Sequence, residues 1–149
     1  MLAMRGTYCL VVGLTDKTKM RIGSLGAREF PAGIYVYVGS ALSGIENRVS
    51  RHKSAKKKRR WHIDYLLDKA EVLSIIAIPT DRKSTECEVF QALAACEGAS
   101  VPVDRFGSSD CRCRSHLVCF GGADPEWVAE VISMRLSTLE SVYQRTSCQ

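Results

Sequence analysis

Gly33-Ile34-Tyr35-Val36-Tyr37-Val38-Gly39 reads GIYVYVG. β-Branched and aromatic residues fill the five places between two glycines, which predicts a strand over Ile34 to Val38. Tyr35 and Tyr37 are two apart and share one face of it. Phe30-Pro31-Ala32-Gly33 punctuates the chain before the strand, and Ser40 to Gly44 forms a turn after it. Further upstream, TYCLVVGL (Thr7 to Leu14) predicts a first strand. Lys19 to Ile22 predicts a short second one, after the polar turn Thr15 to Thr18. The connections are too short for crossover helices, so the three strands are expected to form an antiparallel meander.

Downstream the period changes. Ile45 to His52 has helical spacing, with Ile45 and Val49 on one face; Arg48 and His52, at i and i+4, share another. Trp61, Tyr65, Leu66 and Leu67 mark a second helix. VLSIIAI (Val72 to Ile78) is nearly continuous in apolar residues, as in a strand central to a sheet. Ser84 or Thr85 can cap a third helix running to about Cys96, with Gly98 as its stop. Pro102 to Gly122 is rich in loop residues, with a strand at His116 to Phe120. Asp124-Pro125 opens a final helix over about 124–144, carrying Trp127, Val128, Val131, Ile132, Leu136, Leu139, Val142 and Tyr143 at helical spacing. The expected fold is a single α/β domain over residues 1–149, of the α+β type. Its small, mainly antiparallel sheet is flanked by helices.

Charge is concentrated. Arg48 to Ile63 holds eight Lys/Arg and no acid; the remaining 13 Lys/Arg stand against 16 Asp/Glu. A mildly acidic protein with one basic patch presents a phosphate-binding surface. Arg51, Lys53, Lys56, Lys57, Lys58, Arg59 and Arg60 are its candidate contacts with nucleic acid. No apolar run approaches a membrane span, and the N-terminus lacks the layout of a signal peptide. Seven cysteines, at 9, 87, 96, 111, 113, 119 and 148, are odd in number and scattered through apolar patterns. That predicts reduced thiols in a cytoplasm.

A phosphodiester nuclease needs a group to handle the proton of water, a cation to steady the charged phosphorane, a carboxylate to hold a divalent metal, and a basic surface. In chain order, Tyr8, Tyr37, Arg48, His52, His62 and Glu86 supply candidates. This order, Tyr … Tyr-x-Gly … Arg … His … Glu, resembles the GIY-YIG nuclease superfamily. YVYVGSA, RVSRH, KKKRRWHIDYLL, ECEVFQAL and FGSSDCRCRSHL resemble a compact branch of it, found alone or fused to DNA-repair glycosylases. The resemblance covers Gly6 to about Phe120. Gly6-Thr7-Tyr8 takes the place of the first signature word and Tyr37-Val38-Gly39 that of the second, so the literal GIY at Gly33 to Tyr35 is a decoy.

The resemblance implies roles. A tyrosine orients or deprotonates the attacking water, which needs cations nearby to favour the phenolate. Arg48 binds the scissile phosphate, and His62, 14 residues later, takes the second basic or proton-sharing position. Glu86 holds Mg²⁺ or Mn²⁺. Glu86 is preferred to Glu88 because Val89 and Phe90 follow it at +3 and +4, where the family buries its helix. The implied substrate is nucleic acid, DNA before RNA. Two departures stand out: the interval from Tyr8 to Tyr37 is long, and no asparagine follows Glu86, where the family has one. The second departure supports an alternative, a module that binds nucleic acid without cutting it.

Cys111, Cys113, His116 and Cys119 form a second dense patch, and all four are zinc-ligand types. The spacing C-x-C is shorter than the usual C-x₂₋₄-C, and on a strand His116 and Cys119 point to opposite faces. The first expectation is therefore that Asp110, His116 and the hydroxyls of Ser108 and Ser109 support the cleft. Zn²⁺, in a zinc-dependent interaction protein, is the lesser reading.

Overall fold

The computed structural model describes residues 5–41, 44–54, 61–109 and 111–147, with side chains described to residue 137. Five strands form an antiparallel sheet in the order β5-β1-β4-β7-β6: β1 (Gly6–Leu14), β4 (Gly33–Ala41), β5 (Glu71–Pro79), β6 (Ala99–Ser100) and β7 (Leu117–Phe120). β2 (Thr18–Arg21) and β3 (Ala27–Phe30) form a separate hairpin. The helices are α1 (Ile45–Lys53), α2 (His62–Leu67), α3 (Thr85–Ala94) and α4 (Pro125–Ser147). The fold is α+β, as expected.

The apolar runs of β1 and β4 follow from burial on both sides of the sheet. Tyr8, Leu10, Val12 and Leu14 of β1 share one face with Tyr35, Tyr37 and Ala41 of β4, and α1, α2, the hairpin and Phe106 cover it. Cys9 and Val11 share the other face with Ile34, Val36 and Val38, under Val89, Phe90 and Leu93 of α3 and Val128 and Ile132 of α4. Burying a side chain of this size contributes about 1.5–3 kcal/mol, so the paired layers dominate stability.

Three expectations change. β1 pairs directly with β4 along its whole length, Gly6 to Leu14 against Ala41 to Gly33. Lys19–Ile22 is therefore no middle strand of a meander: β2 pairs with β3, which has too few apolar residues to announce itself. β4 also continues through Ala41, into the predicted turn. Finally, β5 is not central. It is the outer strand beside β1, and a bulge between Val11 and Val12 leaves Leu73 out of register and 40% exposed. Its isoleucines are only partly buried.

The ends of α4 and α3 differ in how they are made. Asp124 Oδ1 accepts the Glu126 N–H at 2.9 Å, the predicted cap of α4. Ser84 precedes α3 without a side-chain cap bond. Trp127, expected in the apolar stripe of α4, is 46% exposed and lies edge-on to Phe120. The side chains of Leu139, Val142 and Tyr143 lie outside the described residues, as does Cys148.

Candidate active site

Tyr8 lies directly opposite Gly39 across the β1–β4 ladder. A Cβ at Gly39 would sit 2.5 Å from the Tyr8 ring carbon Cζ and hydroxyl oxygen. The glycine of the second word is thus the space in which the tyrosine of the first word lies. Tyr37 points from the same face, its ring centroid 6.4 Å from that of Tyr8. Tyr35 also lies on this face, but it is drawn toward the hairpin. Its hydroxyl donates to Pro31 O at 2.5 Å, and its ring meets Phe30 at 6.1 Å.

α1 places Arg48 and His52 on adjacent turns, but their surroundings differ. Arg48 reaches the cleft wall, its guanidinium carbon 4.2 Å from the Trp61 ring centroid. His52 is 3% exposed and holds Tyr8 from below, with Nε2 2.7 Å from the hydroxyl oxygen. His52, a candidate for the catalytic group, lies beside the cleft residues but is buried, walled in by Tyr8, Tyr37 and Trp61. Arg51 is also engaged away from any ligand. Its two terminal nitrogens grip Asp64 at 2.8 and 2.9 Å, and its plane covers Trp61 at 3.9 Å. Asp64 is fully buried and also accepts the Trp61 N–H at 2.9 Å, which fixes where α2 begins.

α2 carries His62 at its first residue. His62 Nδ1 accepts the Gly107 N–H at 2.8 Å, so a neutral His62 carries its proton on Nε2. Burial lowers its pKa from the ordinary 6.5, favouring that neutral form. Gly107 has φ +71°, and a Cβ there would lie 2.9 Å from Tyr37 Cε2, so a side chain is excluded on both counts.

These pieces wall a cleft of about 300 Å³. Tyr37 and Ser40 come from β4, Arg48 from α1, His62 from α2 and Ser109 from the loop between β6 and β7. Glu86 enters from the other side of the sheet, in the first turn of α3. This meeting is possible because the β4–β7 ladder spans only Ile34 to Tyr37, with one further bond from Val38 N–H to His116 O at 2.9 Å. The last residues of β4 run past β7, and the two layers meet there. Glu88, one turn face away, pairs with Arg82 at 3.3 Å and does not line the cleft.

Burial favours the phenol form of both tyrosines. Burial raises the Tyr8 and Tyr37 pKa values and outweighs the lowering by the Arg48 charge. Of the two expected roles, orienting or deprotonating water, this burial favours the first.

Lys53 ends α1, exposed. Lys56, Lys57, Lys58, Arg59, Arg60 and Asp110 lie outside the described residues. His116, expected to line the catalytic face, is buried behind Glu86 and does not line the cleft; its Nδ1 is 2.6 Å from Glu86 Oε1. Its Nε2 faces Cys111 Sγ at 3.4 Å and Cys87 Sγ at 3.8 Å. Cys87, Cys111, Cys113 and His116 bring their ligand atoms within 4.8 Å of one another. Cys119 is elsewhere, on the opposite sheet face in the core of Tyr35, as strand alternation requires. The sequence had Cys119 in this group and missed Cys87, because only the docking of α3 brings Cys87 to the loop. Trp61 and Gly107 were likewise visible only as a neighbour of the basic run and as a turn residue.

Neither the comparison with curated proteins nor that with solved structures gives a match. A family model described as a domain of unknown function, DUF123, matches residues 7–137, from the strand that carries Tyr8 to the helix that covers α3, and the chain belongs to that family.

Proposed function

We propose that the cleft is the active site of a divalent-metal-dependent endonuclease acting on nucleic acid, DNA in the first place. The observation that carries this reading is convergence. Tyr37, Arg48, His62 and Glu86 come from four elements on two sides of a sheet and line one cleft of about 300 Å³.

Each group suits a part of phosphodiester hydrolysis. The Arg48 guanidinium can take two phosphate oxygens at once; Trp61 beneath it limits its swing. Tyr37, held protonated, donates its O–H and orients water rather than deprotonating it. His62 lines the cleft, and because Gly107 holds its Nδ1, Nε2–H is the group it can offer a phosphate or leaving oxygen. Glu86 offers a carboxylate at the cleft wall, which suits a hard cation such as Mg²⁺ or Mn²⁺ that keeps most of its waters. When bound there, that cation would supply Lewis-acid stabilisation of the phosphate charge. Tyr8 and His52 act through position, as a buried pair beneath Tyr37. The basic run from Lys53 to Arg60 would hold the backbone with little sequence preference. Its work belongs in the cytoplasm, where the cysteines stay reduced.

A second reading, binding without cleavage, is favoured by the lack of any asparagine after Glu86. Supercoiled plasmid, branched DNA and RNA, each incubated with Mg²⁺ or Mn²⁺, separate the two. The expected result is cutting by the wild type, reduced roughly 100-fold or more in Glu86→Ala and in Arg48→Ala and retained in Glu88→Ala. Cutting that survives both of the first two changes would sink the mechanism. Binding without cutting on every substrate would establish the second reading.

A further inference from the structure

We infer that Cys87, Cys111, Cys113 and His116 form a structural zinc site, and that the zinc-bound His116 orients Glu86 toward the cleft. The second half rests on the nuclease reading; the first does not.

The distances fit the ion. Zinc binds thiolate sulfur at about 2.3 Å and imidazole nitrogen at about 2.0–2.1 Å in a tetrahedron, so its ligand atoms lie roughly 3.5–3.8 Å apart. His116 Nε2 is 3.4 Å from Cys111 Sγ and 3.8 Å from Cys87 Sγ, and all four ligand atoms fall within 4.8 Å of one another. Three thiols and one imidazole are a soft, closed donor set, which selects zinc over magnesium or calcium.

The placement gives the site a purpose. Cys111, Cys113 and His116 lie in the loop before β7, and Cys87 lies in α3. Zinc would therefore tie a loop with few backbone bonds of its own to the helix that carries Glu86. His116 is 1% exposed, and its ring packs on Phe90 of the same helix. A buried imidazole needs partners on both nitrogens. Nε2 faces the thiols; Nδ1 lies 2.6 Å from Glu86 Oε1 without an aligned hydrogen bond, a contact that a small turn of the carboxylate would complete. A carboxylate behind a zinc-bound histidine is the usual way such a ring is held. Here the relation serves in both directions, because the same carboxylate forms part of the cleft wall. Plain buried thiols leave the histidine and its carboxylate unexplained, and a disulfide among three cysteines leaves one odd.

Metal analysis of the full chain, purified without added metal or a histidine tag, should give one zinc per chain. Exchange with Co²⁺ should give thiolate-to-cobalt charge-transfer bands and tetrahedral ligand-field bands. Cys111→Ser and Cys113→Ser should lose the zinc, and Cys96→Ser and Cys119→Ser should keep it. Wild-type protein that carries no zinc and gives no such cobalt spectrum, or that shows a disulfide joining Cys87, Cys111 or Cys113 under non-reducing mass mapping, would overturn the site. For the link to Glu86, Glu86→Gln should retain one zinc but bind it about 10–100-fold more weakly in competition with a chromophoric chelator. Unchanged affinity would overturn the link. These readouts are independent of cleavage, so zinc present in a protein that cuts nothing would overturn the nuclease reading and leave the zinc site standing.

Discussion

Gly39 and Tyr8 make one unit out of two distant words. The glycine is needed for room rather than for an unusual backbone angle, and the tyrosine fills that room. A reader of the sequence can see both residues but not their contact, because GIYVYVG offers a closer and false partner in Tyr35. His62 was visible only by its offset from Arg48. Its distinguishing property, the bond from Gly107, spans 45 residues and has no local signature. That bond yields a prediction. Protonating Nδ1 breaks it, and burial already disfavours the charged ring. As pH falls below the ordinary 6.5, the unfolded chain takes up this proton before the folded chain does. Stability contributed by His62 is therefore complete above that pH and is lost on acidification below it. Melting curves between pH 7.5 and 5.5 should show a smaller loss of Tm in His62→Gln than in the wild type. Parallel curves for the two proteins would remove His62 as the cause.

Between elements, a largely buried ion pair helps to fasten the joint of α1 and α2. Asp64 is closed off from water, and Arg51 supplies both of its forked bonds. Removing the arginine would take two forked bonds from a buried carboxylate; removing the aspartate would take them from a partly buried guanidinium. Arg51→Ala is expected to destabilise the fold by about 3–5 kcal/mol and Asp64→Ala by about 3 kcal/mol, measured by denaturant unfolding. A cost below 1 kcal/mol in both would show that the joint stands without the pair. From sequence alone, Arg51 reads as one more phosphate contact in a basic run, since nothing nearby names its acid 13 residues on. β5 taught the converse lesson. Its apolar run suggests a central strand, but order in a sheet is set by which edges are left after β1 and β4 pair, and no segment encodes that by itself.

Across the whole molecule, what the sequence made legible was local: the helices, the long strands, the cap of α4 and the order of candidate residues. The gathering of those residues was not legible, because each comes from a different element, and the Cys/His cluster joins a helix to a loop. Charge is a whole-molecule property that the sequence does carry. The net charge of +5 comes from the run after Arg48. Changing Lys56, Lys57 and Lys58 to Gln should weaken binding to duplex DNA uniformly across sequences. It should also flatten the dependence of log affinity on log salt by about 2–3 in slope. An unchanged slope in filter-binding or anisotropy titrations would place the phosphate contacts elsewhere.

The rings beneath the cleft have a consequence of another kind. Phe30, Phe106, Tyr37, His52 and Trp61 touch in series, with centroids 6.2 Å apart at each step, and the last ring lies under Arg48. Trp61 and Trp127 are the chain's two indoles, and Trp127 sits on α4, edge-on to Phe120. A Trp127→Phe protein would therefore glow from the site alone. Its emission would shift as a phosphate draws Arg48 from the indole, so the molecule carries its own lamp for watching the cleft fill.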